Sequence, residues 1–447
     1  MGFLHYVVGI GLVLGLMILV HEWGHFAMAR FFKVRVDVFS IGFGPRLFGW
    51  KRGDTDYRLS ALPLGGYVRM AGQDLSEIDS AEQAPTGAPD ELMSKPRWQR
   101  ALISVAGPTV NLIMPLLLLS GFFWIKGLPY PSYLDKPPVI AVLKANDPLA
   151  KAGVAVGDRI TAFNGKETPT WEKLDEAFGE LRPESSYRVT VEHQGTTRDV
   201  EASGKDLIQA DAPGHYPMIV PKITQPIRGM GAQRAGMKRG DLIVSVNGTK
   251  ITSWMEFKDM ILSSNGNPLV TVVQRDGQLV TLKLEPQAIV GEDGKSNFRL
   301  GVGAEESWSY KKMTFSTALA NASVSTWYGL KQMLGMVGRL FSGKQSVKLL
   351  LGPVGIIDQA GQAVQEGSYA VINLMAIISL NLGVLNLLPI PILDGGNILL
   401  LALEGIRRRD FSLAFKERFV QVGLVFLLVL FGYVMYNDVA RFLPIHT

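Results

Sequence analysis

The chain has 447 residues, a length that suggests two to four domains. With 47% hydrophobic residues, only 19% charged residues and a mean hydropathy of +0.18, the composition indicates a membrane protein with a sizeable soluble part. Cysteine is absent, which excludes a disulfide framework and a thiolate metal site, so a metal would have to be bound by His, Asp or Glu. The net charge of +5 does not predict a nucleic-acid partner, because the basic residues collect beside apolar segments, as membrane topology requires.

The first apolar segment, residues 1–32, predicts a transmembrane helix that contains the sequence His-Glu-Trp-Gly-His. On a helix, His21 and His25 lie one turn apart on the same face and can hold one Zn²⁺, while Glu22 serves as general base. An acidic residue in an apolar span costs about 2.5–3.5 kcal/mol on insertion scales, so Glu22 needs a partner or a function. The sequence therefore predicts a metal site inside the membrane. The alternative is that the two histidines only form hydrogen bonds with neighbouring helices.

Residues 33–100 form a loop. Its first part, residues 33–70, has seven basic and three acidic residues, so the positive-inside rule places the loop in the cytoplasm. Within it, residues 34–40 and 57–70 have the composition of strands, and glycines lie between them. They predict a β-hairpin, which either re-enters the membrane or lies on the surface as an ordinary hairpin. Residues 73–96 have the composition of a flexible connector.

After a second predicted span at 101–126, the chain becomes soluble and repeats itself. Residues 152–160 recur as 235–243, and each copy is followed at the same distance by Asn-Gly, at Asn164 and Asn247. This offset predicts two related domains, at 127–217 and 218–305. Their pattern resembles the bacterial form of the PDZ domain, which implies peptide binding by strand addition; a pair of spacer domains is the alternative.

The remaining residues predict juxtamembrane amphipathic helices at 306–368, a third span at 369–403, a basic cytoplasmic loop at 404–418 and a fourth span at 419–437. Four spans place both termini and the repeats in the periplasm. Two prolines and two glycines near Asp394 predict that the third span unwinds around this residue. At about 1.5 Å per helical residue, His21 and Asp394 lie at a similar depth, roughly 14–20 Å from their cytoplasmic ends, so Asp394 is a candidate third metal ligand. The alternative roles of Asp394 are pairing with an arginine and capping the following helix.

Three features together resemble the site-2 protease family of intramembrane metalloproteases over nearly the whole chain: HEWGH in the first span, Asn-x-x-Pro-x-Pro-x-Leu-Asp-Gly-Gly in the third, and the two PDZ-like units between the second and third spans. The resemblance implies a polytopic α-helical membrane protein with four transmembrane helices, a cytoplasmic-side β-hairpin and two tandem PDZ-like α/β domains. It also implies one Zn²⁺ per chain, with roles for seven residues. The implied zinc ligands are His21, His25 and Asp394, the catalytic base is Glu22, and the substrate-binding segment contains Asn386, Pro389 and Pro391.

The implied activity is hydrolysis of a peptide bond in or near the transmembrane segment of a single-span membrane protein. A pre-cleaved anti-sigma factor of the envelope stress response is the implied substrate, remnant signal peptides are a second one, and the pathway is regulated intramembrane proteolysis. The expected location is the bacterial inner membrane, with lipid around the spans and the active site towards the cytoplasm. A membrane zinc transporter and an inactive PDZ scaffold are the alternative functions.

Overall fold

The computed structural model describes residues 10–72, 87–209, 215–290, 296–305, 307–343 and 352–442. The chain divides into two compact units. One unit comprises Met1–Leu128 and Lys312–Thr447, and the other comprises Pro129–Lys311. The predicted change from membrane segments to soluble repeats and back therefore coincides with the division of the chain.

The first unit begins with a π-helical stretch, Ile10–Gly15, that runs directly into helix α1, Leu16–Phe31. Gly15 has helical backbone angles, so the two stretches form one continuous helix. Residues 1–9 of the predicted first span lie outside the described residues. Helix α1 contains the whole His-Glu-Trp-Gly-His sequence, as its periodicity predicts.

Two long strands follow, β1 at Val36–Arg52 and β2 at Thr55–Met70. Residues 38–41 of β1 pair on both sides: Phe39, for example, lies opposite both Tyr57 and Val68. The four paired segments therefore lie in the order 46–52, 55–60, 38–43 and 66–70. The strands are longer than their composition predicts, because Gly42 and Gly44 take positive φ angles and bend β1 without ending it. Apolar residues of the sheet pack in one cluster with Ala29 of α1.

Helix α2, Arg97–Ile125, follows a short 3₁₀ turn at Leu92–Ser94. It packs closely on α1, because Gly24 lies against the backbone of Ala106 and Gly107. A Cβ atom at Gly24 would be 2.7 Å from the Ala106 carbonyl oxygen, so only glycine permits this approach. The close packing brings residues of α2 to the histidines of α1.

The second unit contains two repeats with the same strand order. The elements of the first repeat are β3 (Leu128–Pro131), a 3₁₀ turn (Ser132–Asp135), β4 (Val142–Leu143), α3 (Pro148–Lys151), β5 (Arg159–Phe163), β6 (Lys166–Glu167), α4 (Trp171–Phe178), β7 (Ser186–His193), β8 (Thr196–Ser203), α5 (Gly204–Gln209) and β9 (His215–Tyr216). Its four-stranded sheet has the order β6-β5-β7-β8, and β4 pairs with β9. Ile160, Trp171, Leu174 and Val189 lie in its buried core.

The elements of the second repeat are α6 (Gly231–Arg234), β10 (Leu242–Val246), β11 (Thr249–Lys250), α7 (Trp254–Ser263), β12 (Leu269–Arg275), β13 (Gln278–Leu284), β14 (Gln287–Val290), β15 (Ser296–Arg299) and β16 (Trp308–Lys311). Its sheet order, β11-β10-β12-β13, reproduces that of the first repeat, and β16 pairs with β3. Asn164 and Asn247 have nearly the same positive φ, 50° and 48°, at equivalent hairpin turns. The repeat found in the sequence is thus also a repeat of structure.

The first unit resumes with five helices. These are α8 (Phe315–Phe341), α9 (Pro353–Glu366), α10 (Ser368–Asn386), α11 (Asp394–Arg407) and α12 (Leu413–Phe442). Helix α8 packs against α2 through small residues, Ala318 and Ala322, which are fully buried. Its larger apolar residues Trp327 and Leu334 are instead exposed, so the apolar stripe of α8 faces away from the protein.

Three helices of the described part are long and apolar enough to cross a membrane: Arg97–Ile125, Ser368–Asn386 and Ala414–Val439. They coincide with the predicted second span, the first half of the third and the fourth. Helix α11 follows α10 after a non-helical break, as the prolines in this region predict. The structure thus has the helices and sheets of a membrane protein, with three candidate membrane-spanning helices among the described residues.

Candidate metal centre

Helix α1 presents two buried imidazoles to the same point. Nε2 of His21 and Nε2 of His25 are 3.2 Å apart. The two rings are perpendicular, with an interplanar angle of 83°. The i, i+4 spacing of the two residues explains why both rings lie on one face of the helix.

Asp394 reaches the same point from the far end of the chain. Its Oδ2 lies 3.4 Å from His21 Nε2, and its Oδ1 lies 3.4 Å from His25 Nε2. His21, His25 and Asp394 are the group of His, Asp and Glu residues in the described part of the chain whose arrangement could hold a metal ion. The structure therefore brings His21, His25 and Asp394 together, and their role as metal ligands stays a prediction.

The break between α10 and α11 positions the carboxylate. Helix α10 ends at Asn386 and α11 begins at Asp394, so the non-helical backbone lies before Asp394 and not around it. Ile392 has a φ of +79°, which side chains with a branched Cβ rarely adopt. Gly396 lies against the carbonyl of Ile390 so closely that no side chain fits there. Glycine at the start of α11 therefore allows the chain to fold back on itself.

The three side chains fit a zinc ion. A tetrahedral site with bonds of about 2.0–2.1 Å from zinc to nitrogen or oxygen has ligand atoms about 3.3–3.4 Å apart. His21 Nε2 lies 3.2 Å from His25 Nε2, and each of these nitrogens lies 3.4 Å from a different carboxylate oxygen of Asp394, so the closest approaches have this size. Two neutral imidazoles and one carboxylate leave a fourth position for water or substrate, as in catalytic zinc sites.

Hydrogen bonds on the outer side of each imidazole support the same assignment. Nδ1 of His25 is 2.8 Å from the carbonyl oxygen of Ile103, which only accepts, so Nδ1 carries the proton and Nε2 is free for a metal. The amide of Asn111 lies 3.1 Å from Nδ1 of His21. Oδ1 of Asn111 is buried and has no hydrogen-bond partner among the described residues. Turning this amide by 180° would let Oδ1 accept a hydrogen bond from the Nδ1–H of His21, which leaves His21 Nε2 free for zinc as well.

The other predicted site residues have different surroundings. Glu22 is buried next to the metal-binding group, and its Cγ lies 2.8 Å from the position of a Cβ atom at Gly66 of β2. The amide of Asn386 is 3.2 Å from His21 Nε2. Pro391 packs against Gly423 of α12, and Pro389 is exposed. The structure therefore brings Glu22 and Asn386 to the centre and places the two prolines in the break beside it.

Sequence reasoning assigned no role at the centre to two residues of α2, Gly107 and Asn111. Gly107 lies directly against the imidazole of His25, where a side chain would collide with Nε2. Asn111 is fully buried in an apolar helix, where an unpaired amide is costly. That cost was the signal that Asn111 must contact another helix, but sequence alone could not identify His21 as the partner.

Comparison with known proteins assigns the chain to a family. The model of peptidase family M50 matches residues 10–430. The "Regulator of sigma-E protease RseP" of Salmonella typhimurium is 32% identical over 451 residues, which cover 96% of this chain and 97% of the relative. The Escherichia coli protein of the same name is 31% identical with the same coverage. A Neisseria meningitidis relative, 30% identical over the same shares of both chains, has the words zinc metalloprotease in its name. The chain belongs to peptidase family M50, the site-2 proteases, and it is a membrane metalloprotease whose cofactor is zinc.

Proposed function

We propose that this protein hydrolyses a peptide bond in or near the transmembrane segment of a single-span membrane protein, at a zinc ion held by His21, His25 and Asp394. The observation that carries the proposal is that His21, His25 and Asp394 each offer a ligand atom within 4.8 Å of the other two, with closest approaches of 3.2–3.4 Å between the side chains. A bound zinc ion polarises a carbonyl group and lowers the pKa of a water molecule. A catalytic centre at this depth acts on substrate inside the membrane.

Glu22 is the general base. It is next to His21 in sequence and is buried beside the candidate ligands, yet it is not one of the three residues that form the metal-binding group. Glu22 takes the proton from the attacking water and delivers it to the leaving amine. Two carboxylates in one buried centre thus have different roles, since Asp394 binds the metal and Glu22 transfers the proton.

The sheet formed by β1 and β2 presents the substrate. A transmembrane helix hides its peptide carbonyls in hydrogen bonds, so the substrate must become extended before cleavage. Segment 66–70 is an edge of the sheet within the described residues, and its Gly66 lies against Glu22 and Ile18 of α1. A substrate strand added at this edge would run past the base. We place Glu22 in the first membrane span, so the sheet beside it re-enters the membrane. Asn386 and the break at Pro389 and Pro391 hold the other side of the substrate.

The repeats act as PDZ-like domains that restrict access. Four spans place them in the periplasm of a bacterial inner-membrane protein, and their fold as a compact unit separate in sequence from the catalytic helices supports a role outside the chemistry. By excluding a substrate whose outer domain is still attached, they make cleavage depend on an earlier cut. The relatives have the name "Regulator of sigma-E protease RseP", which supports an anti-sigma factor as substrate here.

Cleavage of a defined membrane peptide tests the proposal. The purified full-length protein should cleave a single-span substrate that lacks its outer domain, and a zinc chelator should abolish this cleavage. Glu22→Gln should retain one zinc per chain and cleave nothing, whereas Asp394→Ala should lose zinc as well. Cleavage by Glu22→Gln at the wild-type rate, or full zinc content in Asp394→Ala, would contradict the assigned roles.

The same purified proteins distinguish the protease from two alternative functions, a zinc transporter and an inactive scaffold. A zinc transporter would move zinc into vesicles independently of Glu22, and an inactive scaffold would bind peptide through the repeats without cleavage. The membership in a peptidase family favours the protease over both.

Replacement of 138–302 by a flexible linker tests the role of the repeats. It should leave cleavage of the trimmed substrate intact and permit cleavage of the untrimmed one. Loss of both cleavages would show that the repeats present the substrate instead of filtering it.

A further inference from the structure

Helix α11, which carries Asp394, is not continuous with the helix before it or the helix after it. The backbone from Leu387 to Leu393 is non-helical, so α11 does not continue from α10. At its other end Arg408 adopts a left-handed conformation, with a φ of 58°, and the helix stops. Packing and side-chain contacts must therefore set the position of α11 along its axis and its rotation.

A carboxylate in the last turn of α11 makes such contacts. Glu404 is fully buried, with 0% of its surface exposed, and it extends the buried stripe of Gly396 and Leu400 at four-residue intervals. Its Oε1 is 3.0 Å from Nζ of Lys416 on α12 and accepts a hydrogen bond of 3.0 Å from the backbone N–H of Phe411. Its other oxygen, Oε2, is 3.7 Å from Nη2 of Arg100 on α2.

A second carboxylate extends the cluster. Asp410 accepts hydrogen bonds from Arg97, at 2.6 and 2.8 Å, and from Arg100, at 3.3 Å. Arg100 is therefore shared between Glu404 and Asp410. The side chains of the cluster thus come from α2, from α11, from the loop after it and from the start of α12.

Burying a carboxylate costs several kcal/mol unless it is paired, and a buried ion pair is often no more stabilising than apolar residues of the same volume. Glu404 lies ten residues from Asp394, about 15 Å along the helix axis, so it does not take part in the chemistry. The ionic contacts can instead fix the position and rotation of α11, because a shift or rotation of this helix would leave a buried charge unpaired.

We propose that Glu404 is a positioning residue for the metal centre: its contacts with Arg100, Lys416 and the Phe411 N–H fix α11 and so hold the Asp394 carboxylate at its distance from His21 and His25. The proposal rests on the proposed function, because it takes these three residues as the zinc ligands. It adds that a residue at the far end of the helix determines how well they bind zinc.

Zinc affinity of the full-length detergent-solubilised protein tests the proposal. Glu404→Gln should raise the zinc dissociation constant, measured by competition with a chromogenic chelator, by about tenfold or more, as for other residues that orient metal ligands. It should also change the visible spectrum of the cobalt-substituted protein, which reports ligand geometry. Glu417→Gln, an exposed glutamate on α12, is the matched control and should change neither. A folded Glu404→Gln protein with the wild-type dissociation constant and spectrum would overturn the proposal.

A second variant keeps the test informative if Glu404→Gln does not fold. Lys416→Gln leaves Glu404 paired with Arg100 and the Phe411 N–H, and it should still raise the zinc dissociation constant above that of Glu417→Gln; a folded Lys416→Gln protein with the wild-type constant would overturn the proposal. Where both variants fold, their effects on the dissociation constant should be non-additive because the two side chains interact directly; additive effects would overturn the proposal. Asp394→Ala separates the two hypotheses, since unchanged zinc affinity in that variant would reject the ligand assignment itself and not the role of Glu404.

Discussion

Gly107 of α2 lies directly against the Nε2 edge of the His25 imidazole, and no side chain fits between them. The metal-binding geometry therefore depends on a residue that offers no ligand. Helix α2 fixes His25 at two points, because the His25 Nδ1–H also donates a hydrogen bond to the carbonyl oxygen of Ile103, which lies on α2 like Gly107.

Gly107→Ala should disrupt zinc binding without unfolding the protein. The added methyl group would displace the His25 ring, and we expect zinc affinity to fall by about tenfold or more, with a parallel loss of cleavage. Gly121→Ala on the same helix is the control, because no atom lies within 4 Å of its added Cβ. That control should be neutral or more stable, by about 0.5–1 kcal/mol. Equal zinc affinity in the two variants would show that His25 has room to move.

Asn111→Ala should weaken zinc binding by about 10- to 100-fold, because it removes the only side chain that the structure places at Nδ1 of His21 among the described residues. The backbone carbonyl of Asn111, which accepts from Ser379, is retained, so the contact between α2 and α10 persists. Ser120→Ala is a suitable control, since this buried hydroxyl bonds only within α2, to Leu117. Chelator competition measures both, and an unchanged dissociation constant for Asn111→Ala would exclude the second hydrogen bond as a determinant of affinity.

The first repeat should lose stability in acid because of Asp158. Burial by itself raises the pKa of this carboxyl, but hydrogen bonds from the Ala155 N–H, Arg198 and His193 outweigh burial and hold the pKa below its usual value. A lowered folded pKa means that the stabilisation is complete above the unfolded value near 4 and disappears as the pH falls through the folded value. Amide exchange in β7, corrected for its intrinsic pH dependence, should accelerate below about pH 4.

Asp158→Asn is the comparison for that experiment. It should have faster exchange in β7 at neutral pH and a weaker dependence on acid, whereas Asp199→Asn, at an exposed position of the same sheet, should behave like the wild type. An Asp158→Asn protein with the same acid response as the wild type would show that other carboxylates cause the destabilisation.

Membrane orientation can be tested independently of the catalytic residues. The chain has no cysteine, so single cysteines can be introduced at three exposed positions, Arg52, Lys250 and Arg408. In intact spheroplasts a membrane-impermeant thiol reagent should label the cysteine at position 250 and leave those at 52 and 408 unlabelled. The reverse labelling pattern would contradict the membrane orientation that the basic loops predict.

The candidate metal centre could be predicted from sequence where two signals were available: the spacing of residues on a helix and the free-energy cost of an acidic residue in an apolar segment. His21 and His25 are one helical turn apart, and Asp394 is an acidic residue at a proline-rich break, so each is conspicuous alone. Their common depth follows from counting residues to the basic ends of the spans. The strand order of the repeats also followed the internal repeat of the sequence, since equivalent turns at Asn164 and Asn247 set equivalent hairpins.

The remainder depends on contacts between distant segments. The roles of Gly107 and Asn111 depend on the angle and register at which α2 packs on α1. The double pairing of residues 38–41 depends on two bends in β1 that glycine permits but does not require. The ionic cluster at Glu404 joins four segments of the chain, and no local pattern predicts which arginine or lysine will reach a given carboxylate.

The metal ligands proposed here are divided between the two ends of the polypeptide: the histidines lie in the first helix, and Asp394 begins the eleventh. During synthesis, a ribosome that has translated the first span, the sheet and both repeats has produced a membrane-inserted chain with the base and two imidazoles but without the carboxylate. Such a nascent chain has an incomplete metal site and is therefore inactive. The order of residues along the chain thus delays proteolytic activity until both repeats have been translated.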